Sequence, residues 1–358
     1  MGFYSLAPET PQTQICAACG MLIDIHGCEP LSRIGCPRCR GELIVKGTID
    51  HFELLDVAGR GGTGVVYKAR DLTLDRLVAL KLLRKDRSNN AQFMARLERE
   101  AVITASISHP CVVSVFSTGT DHGRLYIAME LVGHGSLDDL IRVQGRVSEA
   151  QTLQVGIQIA QGLRAAHQHG LIHRDVKPGN ILFADAHTAK IVDFGLAIFA
   201  EQEESLRGEI WGTPYYVAPE KLQQKREDFR SDIYSLGSTL FHALAGRPPF
   251  DAESTSLVAL KHVKTPAISV RTLSPHISGA CAYVIDRALN KDPNQRYQSY
   301  DELIQHLEYA RTELIKALRE RPPRKRAAVP NAPIAWVWVS LAMLVGLALI
   351  GAVVFALQ

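Results

Sequence analysis

The stretch LIHRDVKPGNILF, residues 171–183, restricts the fold more than any other part of the chain. A helix interior does not place Pro178 beside Gly179, because proline lacks an amide donor and glycine is entropically costly there. A central strand rejects the same pair. The segment therefore reads as a loop between two apolar runs. It carries Asp175, Lys177 and Asn180 at short fixed intervals. Polar groups held on a loop by apolar flanks mark a site, and a plain turn is the bland alternative.

The chain has 358 residues, 46% hydrophobic and 22% charged, with a formal net charge of +3. That composition predicts globular domains and gives no general case for nucleic-acid binding. The opening MGFYSLAPETPQTQ has neither a basic start nor an apolar stretch, so no signal peptide is expected. Seven cysteines include two C-x-x-C pairs, Cys16/Cys19 and Cys36/Cys39. An odd total with paired spacing favours metal ligation in a reducing compartment over a disulfide framework. Two such pairs suit a tetrahedral four-cysteine zinc site, and Gly20, Pro37 and Gly41 favour the tight turns it needs. Residues 14–46 resemble a zinc ribbon. A segment this small lacks an adequate apolar core, so structural Zn²⁺ would supply much of its stability. Cys28 stands between the pairs as a bystander, and Cys111 and Cys281 read as core residues. Zinc ribbons bind nucleic acid, proteins or nothing, and the aromatic and basic content here does not choose among these.

Three composition shifts divide the rest. Residues 52–311 form a long globular region, residues 312–333 a basic, proline-rich linker, and residues 334–357 an apolar run without a charge. As a helix that run would reach ~36 Å at ~1.5 Å per residue, enough for a hydrocarbon core of ~30 Å with some tilt. Trp336 and Trp338 stand near one end, where indoles meet the headgroups. Arg319, Arg321, Arg324, Lys325 and Arg326 precede the run, so the positive-inside bias leaves the large N-terminal part in the cytoplasm. The expectation is one transmembrane helix in the cell membrane. Ala342 and Gly346 add a small-xxx-small spacing of the kind that packs helix dimers.

Within residues 52–311, strand-like pieces come first: HFELLDVAGRGGTGVVYKARD, RLVALKLLR and VVSVFSTGTDHGRLYIAMELV. One helical stretch, NAQFMARLEREAVITASI, interrupts them, and from about residue 136 the pattern is mostly helical. Strands followed by helices predict an α+β protein of two lobes, residues 52–130 and 131–311. Gly59, Gly61 and Gly64 form G-x-G-x-x-G. Alone this is weak, because it also marks dinucleotide-binding folds. Here the β-branched and aromatic VVYKAR follows, so the glycines join two strands instead of opening a helix. Glycines without side chains let backbone amides approach an anion.

Further motifs follow in order: Lys81 ending VALK, Glu100 on the next helix, HRDVKPGN, DFG at 193–195 and GTPYYVAPE at 212–220. Together they resemble the protein kinase family, its serine/threonine branch and its bacterial eukaryote-like (Hanks-type) members. The resemblance implies a bilobal fold, β-rich in the first lobe and helical in the second, with ATP and Mg²⁺ (or Mn²⁺) as cofactors and protein Ser/Thr hydroxyls as substrates. Asp175 is then placed to accept the substrate's hydroxyl proton, and Lys177 to stabilise the moving phosphoryl group. Asn180 and Asp193 offer oxygen to Mg²⁺, a hard cation. Lys81 would hold the α and β phosphates and pair with Glu100; Glu98 points away. Val66, Ala79 and Leu182 match the positions around the adenine, with Glu130 and Val132 offering backbone bonds and Met129 as gatekeeper. These apolar residues serve an ordinary core as well. Asp232 and Arg296 match structural anchors, with Arg296 expected to pair with Glu220. Two other classes remain open: a pseudokinase scaffold, and a zinc-dependent adaptor whose kinase domain is regulatory.

The segment LAIFAEQEESLRGEIWGTPYY offers Ser205 and Thr213 as its hydroxyl sites and carries Glu201, Glu203, Glu204 and Glu209. Arg174 is of the type that receives an activating phosphate in this segment. Either a glutamate partly replaces that phosphate, or the acidic residues are simply solvated. Under the first reading, Ser205→Ala leaves purified phosphotransfer activity nearly unchanged in a radiolabel assay; a large loss refutes it.

Overall fold

Runs of β-branched and aromatic residues explain why most of the described residues before 130 become strands. The computed structural model describes residues 13–62, 64–83, 103–121, 123–194, 214–320 and Met343. Its first elements are two small hairpins: β1 (Thr13–Ile15) with β2 (Leu22–Asp24), and β3 (Arg33–Gly35) with β4 (Glu42–Ile44). Ile23, Ile25, Leu43 and Val45 form their shared core with Cys16 and Cys36.

A six-stranded antiparallel sheet follows. It is built from β5 (Thr48–Ile49), β6 (Phe52–Gly61), β7 (Gly64–Asp71), β8 (Arg76–Leu83), β9 (Val115–Asp121) and β10 (Arg124–Met129), in the order β5-β6-β7-β8-β10-β9. Strand β8 is buried from Val78 to Leu83, and its two faces serve different cores. Val78, Leu80 and Leu82 join Phe52, Leu54 and Tyr67 on one side. Ala79 and Leu83 join Val113, Leu125, Ile127 and Met129 on the other. The period of two thus sends Lys81 to the same side as Ala79.

The second lobe is helical. Ser136 caps α1 (Leu137–Gln144) through a capping box with Asp139, and Ser148 caps α2 (Glu149–Gln168). Helix α2 stops where Gly170 turns left-handed, at φ 77°. Residues 171–177 form a loop closed by a 3₁₀ turn, Pro178–Asn180, that leads into a short hairpin of β11 (Ile181–Phe183) and β12 (Ala189–Ile191). Then come α3 (Pro219–Leu222), α4 (Phe229–Ala245), α5 (Thr255–Lys264), α6 (Val270–Leu273), α7 (Gly279–Ala288) and α8 (Tyr300–Glu320). Helix α4 is buried along nearly its whole length and forms the axis of this lobe.

The chain divides into two compact units, Met1–Glu313 and Leu314–Gln358. Helix α8 runs through residues 312–320, which the sequence reading assigns to the linker. Its amphipathic spacing carries it past the composition shift. The apolar run 334–357 lies outside the described residues apart from Met343, and among the described residues no helix is long and apolar enough to cross a membrane.

The anticipated ion pair of the helical lobe is present. Arg296 is fully buried, and its guanidinium forks onto Glu220 at 2.6 and 2.7 Å. Its remaining donors reach the carbonyls of Asn290, Lys291 and Arg230. Burial works against the Glu220 charge, but the guanidinium and the Ser231 hydroxyl hold its carboxyl below its usual value. The pair's stabilisation is therefore complete above the ordinary glutamate value and is lost as pH falls through the lower folded value. Glu220→Gln strands a buried guanidinium, so urea denaturation at neutral pH should show a loss of about 3–5 kcal/mol, and the gap to wild type should shrink in acid.

Candidate active site

Two elements from each lobe build the site. From the sheet, the hairpin of β6 and β7 pairs Gly59 with Val66 and Gly61 with Gly64. A Cβ on Gly64 would sit 2.2 Å from the Leu82 carbonyl oxygen, so the backbones of β7 and β8 approach there as only glycine permits. At Gly59 and Gly61 a Cβ would meet nothing within 4 Å among the described residues. Close packing thus explains Gly64, whereas Gly59 and Gly61 leave open space of the kind a phosphate chain needs.

Lys81 is 3% exposed, and a buried ammonium requires a partner. It finds Asp193, with Nζ 2.7 Å from Oδ2, across 112 positions of sequence. Burial opposes the Asp193 charge, but Lys81 prevails and holds the carboxyl below its usual range. The expected partner Glu100 lies outside the described residues, as does Glu98. Asp193 has φ 66° and Arg174 has φ 65°, left-handed conformations that ordinary residues adopt at some strain.

Asp175, Lys177 and Asn180 converge in the segment 171–180. Lys177 Nζ donates to Asp175 Oδ2 at 2.6 Å. Asn180 Nδ2 donates to the Asp175 carbonyl at 2.8 Å and to Oδ2 at 2.9 Å. With its nitrogen engaged there, Asn180 keeps Oδ1 as its side-chain acceptor. That oxygen and the Asp193 carboxylate form a hard donor pair, and these residues fit Mg²⁺.

One participant is not foreseen. His173 is fully buried, accepts the Asp175 amide at Nδ1 (3.2 Å) and faces the Val192 carbonyl through Nε2 (2.8 Å). This pattern is that of a neutral ring with its proton on Nε2. The Phe194 ring meets it edge-on at 4.7 Å. His173 ties the loop of Asp175 to the segment of Asp193. Its place inside HRDVKPGN is the signal in the sequence, but its tautomer depends on the fold.

Asp232 holds this loop from below. Its two oxygens accept the amides of His173 (2.8 Å) and Arg174 (2.7 Å). Arg174 Nε is buried and has no hydrogen-bond partner among the described residues. Ser205 and Thr213 lie outside them.

The apolar residues assigned to the adenine come together. Val66, Ala79, Met129, Val132 and Leu182 share one cluster with Val192. The Glu130 amide bonds the Ser114 carbonyl at 2.9 Å, so any backbone bond it gives a ligand comes from its carbonyl. Its carboxylate is held by Lys190 at 2.7 Å, a pairing the sequence does not reveal.

Away from this cleft, the four paired cysteines gather, with all four sulfurs within 4.8 Å of one another. Cys16 and Cys39 sulfurs are 3.7 Å apart, and those of Cys19 and Cys36 are 3.6 Å apart. A regular tetrahedron with Zn–S of ~2.3 Å has an edge of ~3.8 Å, so the donor set fits zinc. Backbone amides of Cys39 and Arg38 lower the Cys36 thiol, whereas at the neighbouring Cys19 the Met21 amide is outweighed by burial and the adjacent sulfurs, which raise its thiol. The two turns are alike: the Gly20 amide reaches the Cys16 carbonyl and the Arg40 amide the Cys36 carbonyl, both at 2.9 Å. Gly20 has φ 70°, and in the second turn the left-handed residue is Arg40, φ 61°, not Gly41. Cys28 packs against the hairpin core outside this set.

A small antiparallel sheet over a helical lobe, joined by a lysine–aspartate pair beside an Asp-x-Lys-x-x-Asn loop, defines the protein kinase class of architecture. A family model described as "Protein kinase domain" matches residues 52–308, and the chain belongs to that family. It is 37% identical over 260 residues to a Clostridium perfringens protein named "Probable serine/threonine-protein kinase", covering 72% of this chain and 38% of that one. It is 36% identical over 289 residues to the serine/threonine-protein kinase PknB of Mycobacterium leprae, covering 79% of this chain and 45% of that one. The chain thus spans less than half the length of these curated relatives. The crystal structure of the Mycobacterium tuberculosis PknI kinase domain superposes with a TM-score of 0.60 at 26% identity, covering 74% of this chain and 98% of that one.

The two kinds of glycine separate in experiment. Gly64→Ala should lower the melting temperature, since overpacking against backbone costs roughly 1–3 kcal/mol. Gly61→Ala should leave melting nearly unchanged while raising the KM for ATP.

Proposed function

We propose that the protein transfers the γ-phosphoryl group of ATP to serine and threonine hydroxyls of other proteins. The observation that carries this reading is the convergence of Lys81 and Asp193 from different lobes beside Asp175, Lys177 and Asn180. Asp175 accepts the proton of the substrate hydroxyl and orients its oxygen. Lys177 lies beside the same carboxylate, where its ammonium offsets charge that builds on the group in transfer. Lys81 exchanges part of its contact with Asp193 for the α and β phosphates as nucleotide enters. Asn180 and Asp193 would hold Mg²⁺, which when bound neutralises phosphate charge. Val66, Ala79, Leu182, Glu130 and Val132 receive the adenine, and Gly59, Gly61 and Gly64 cover the phosphates. Ser205 and Thr213 are the regulatory hydroxyls, with Arg174 as their anion partner.

Residues 14–46 form a zinc ribbon held by Cys16, Cys19, Cys36 and Cys39. The uncharged run 334–357 anchors the chain in the cell membrane as a single span, with the kinase on the cytoplasmic side. Its spacing of Ala342 and Gly346 supports pairing of two spans.

Incubation with labelled ATP, Mg²⁺ and a generic basic protein should label serine and threonine, and Asp175→Asn should cut the rate roughly 10²- to 10⁴-fold. Transfer that survives Asp175→Asn would falsify the catalytic assignment, and a chain that binds nucleotide without transfer would be a scaffold. Metal analysis should find one zinc per chain, and deletion of 334–357 should move the protein from the membrane fraction to the soluble one.

A further inference from the structure

The two cysteine-bearing hairpins are not a loose appendage. Their connecting segment, between β2 and β3, lies against the strands that carry the glycine-rich hairpin. Leu31 packs on the cluster of Ile49, Phe52, Leu54 and Tyr67. A Cβ on Gly47 would stand 2.6 Å from Pro30 Cβ, and the Gly47 carbonyl accepts the Leu54 amide at 2.9 Å. Leu54 and Tyr67 belong to β6 and β7, which run on to Gly61 and Gly64. Glu29 lies 3.8 Å from Arg60, the residue between Gly59 and Gly61. Both of those side chains are exposed, so the ion pair contributes little, and the contact is chiefly apolar.

Leu31 is also strained. Its φ of 61° is a left-handed conformation, which costs an L-residue with a side chain roughly 1–2 kcal/mol. Such a residue persists where its surroundings over-determine it, and it then points to a role. Here the Leu31 amide bonds the Val45 carbonyl at 2.8 Å, and the Val45 amide returns to the Ser32 carbonyl at 2.9 Å. Val45 in turn sits in the hairpin core beside Cys16 and Cys36, two of the four metal-suited cysteines. That core is too small to persist without its metal. The pose of Leu31 is therefore linked through Val45 to occupancy of the four-cysteine site.

We propose that the metal-loaded ribbon positions the glycine-rich hairpin, with Leu31 as the positioning residue, so that loss of zinc weakens nucleotide binding and leaves the transfer step intact. The proposal rests on the kinase and zinc readings above. Apparent affinity falls in proportion to the fraction of hairpins held ready, so a readied fraction of about 10–30% raises Kd roughly three- to tenfold.

The test uses the full chain with Mg²⁺ in excess and a zinc-selective chelator. It measures zinc content, the Kd of Mg·ADP by calorimetry, and kcat and KM for ATP. Stripped wild type should show the three- to tenfold rise in Kd and KM, with kcat within about twofold. Leu31→Asp should keep one zinc per chain yet show the same rise, and stripping it should add nothing further. Leu31→Met should restore the wild-type values. If Leu31→Asp does not fold, Leu31→Ala takes its place, and the stripped wild type stands as an independent arm. An unchanged Kd after stripping overturns the proposal, as does a stripping effect that adds in full to that of Leu31→Asp. A purified chain without zinc overturns the metal reading, and one that binds nucleotide but never transfers overturns the kinase reading; the proposal falls with the first, and its claim on the transfer step with the second.

Discussion

One buried carboxylate, Asp232 on α4, organises the catalytic loop. It accepts the backbone amides of His173 and Arg174, and the Tyr300 hydroxyl from α8 reaches it at 3.3 Å. Burial pushes its carboxyl above the usual value, and the surrounding donors oppose that rise. The loop needs such an anchor, because Arg174 stands in a left-handed conformation that it would not keep alone. Once His173 and Arg174 are fixed, His173 can take the Asp175 amide on one ring nitrogen and meet Val192 with the other. Lys177 and Asn180 then close on Asp175. The chain of cause runs from a helix of the second lobe to the residues of the cleft.

Strand β8 gives the sheet its division of labour. Its even-numbered residues from Val78 to Leu82 face one core, and its odd-numbered neighbours Ala79 and Leu83 face the cleft-side cluster. Lys81 belongs to the second set by alternation alone. The outer core receives Leu31 from the segment between the two cysteine-bearing hairpins, and the cleft-side cluster gathers Val66, Ala79, Met129, Val132 and Leu182. A single strand thus separates the core that Leu31 joins from the cluster of Val66, Ala79, Met129, Val132 and Leu182, one side-chain layer on either hand.

Much of this site is legible in the sequence because its chemistry is local. Asp175, Lys177 and Asn180 lie within one short loop, and the Gly59–Gly64 turn is a hairpin signature in its β-branched context. Helix α2 is equally plain, with Ser148 before it and Gly170 after it. The long-range choices are not legible. Whether Lys81 takes Asp193 or Glu100 depends on how the lobes meet, and Asp193 is the partner among the described residues. The tautomer of His173 follows from a carbonyl nineteen positions away. Leu31 and Arg40 hide for another reason: left-handed leucine and arginine carry no compositional mark, whereas a glycine there would have announced the turn. Helix α8 outruns its compositional boundary because amphipathic spacing continues into the basic stretch.

The short strand β5 has a practical consequence. Thr48 and Ile49 pair with Glu53 and Phe52 at the margin of the sheet, and Ile49 plugs the outer core. The matched family region begins at residue 52, inside that pairing. A truncated protein started there would lose its outermost strand, leaving the amides and carbonyls at the head of β6 unpaired beside an uncovered Phe52. Unsatisfied backbone next to bare aromatic surface is what recruits a second chain. For anyone expressing the catalytic portion alone, the start codon belongs upstream of Thr48.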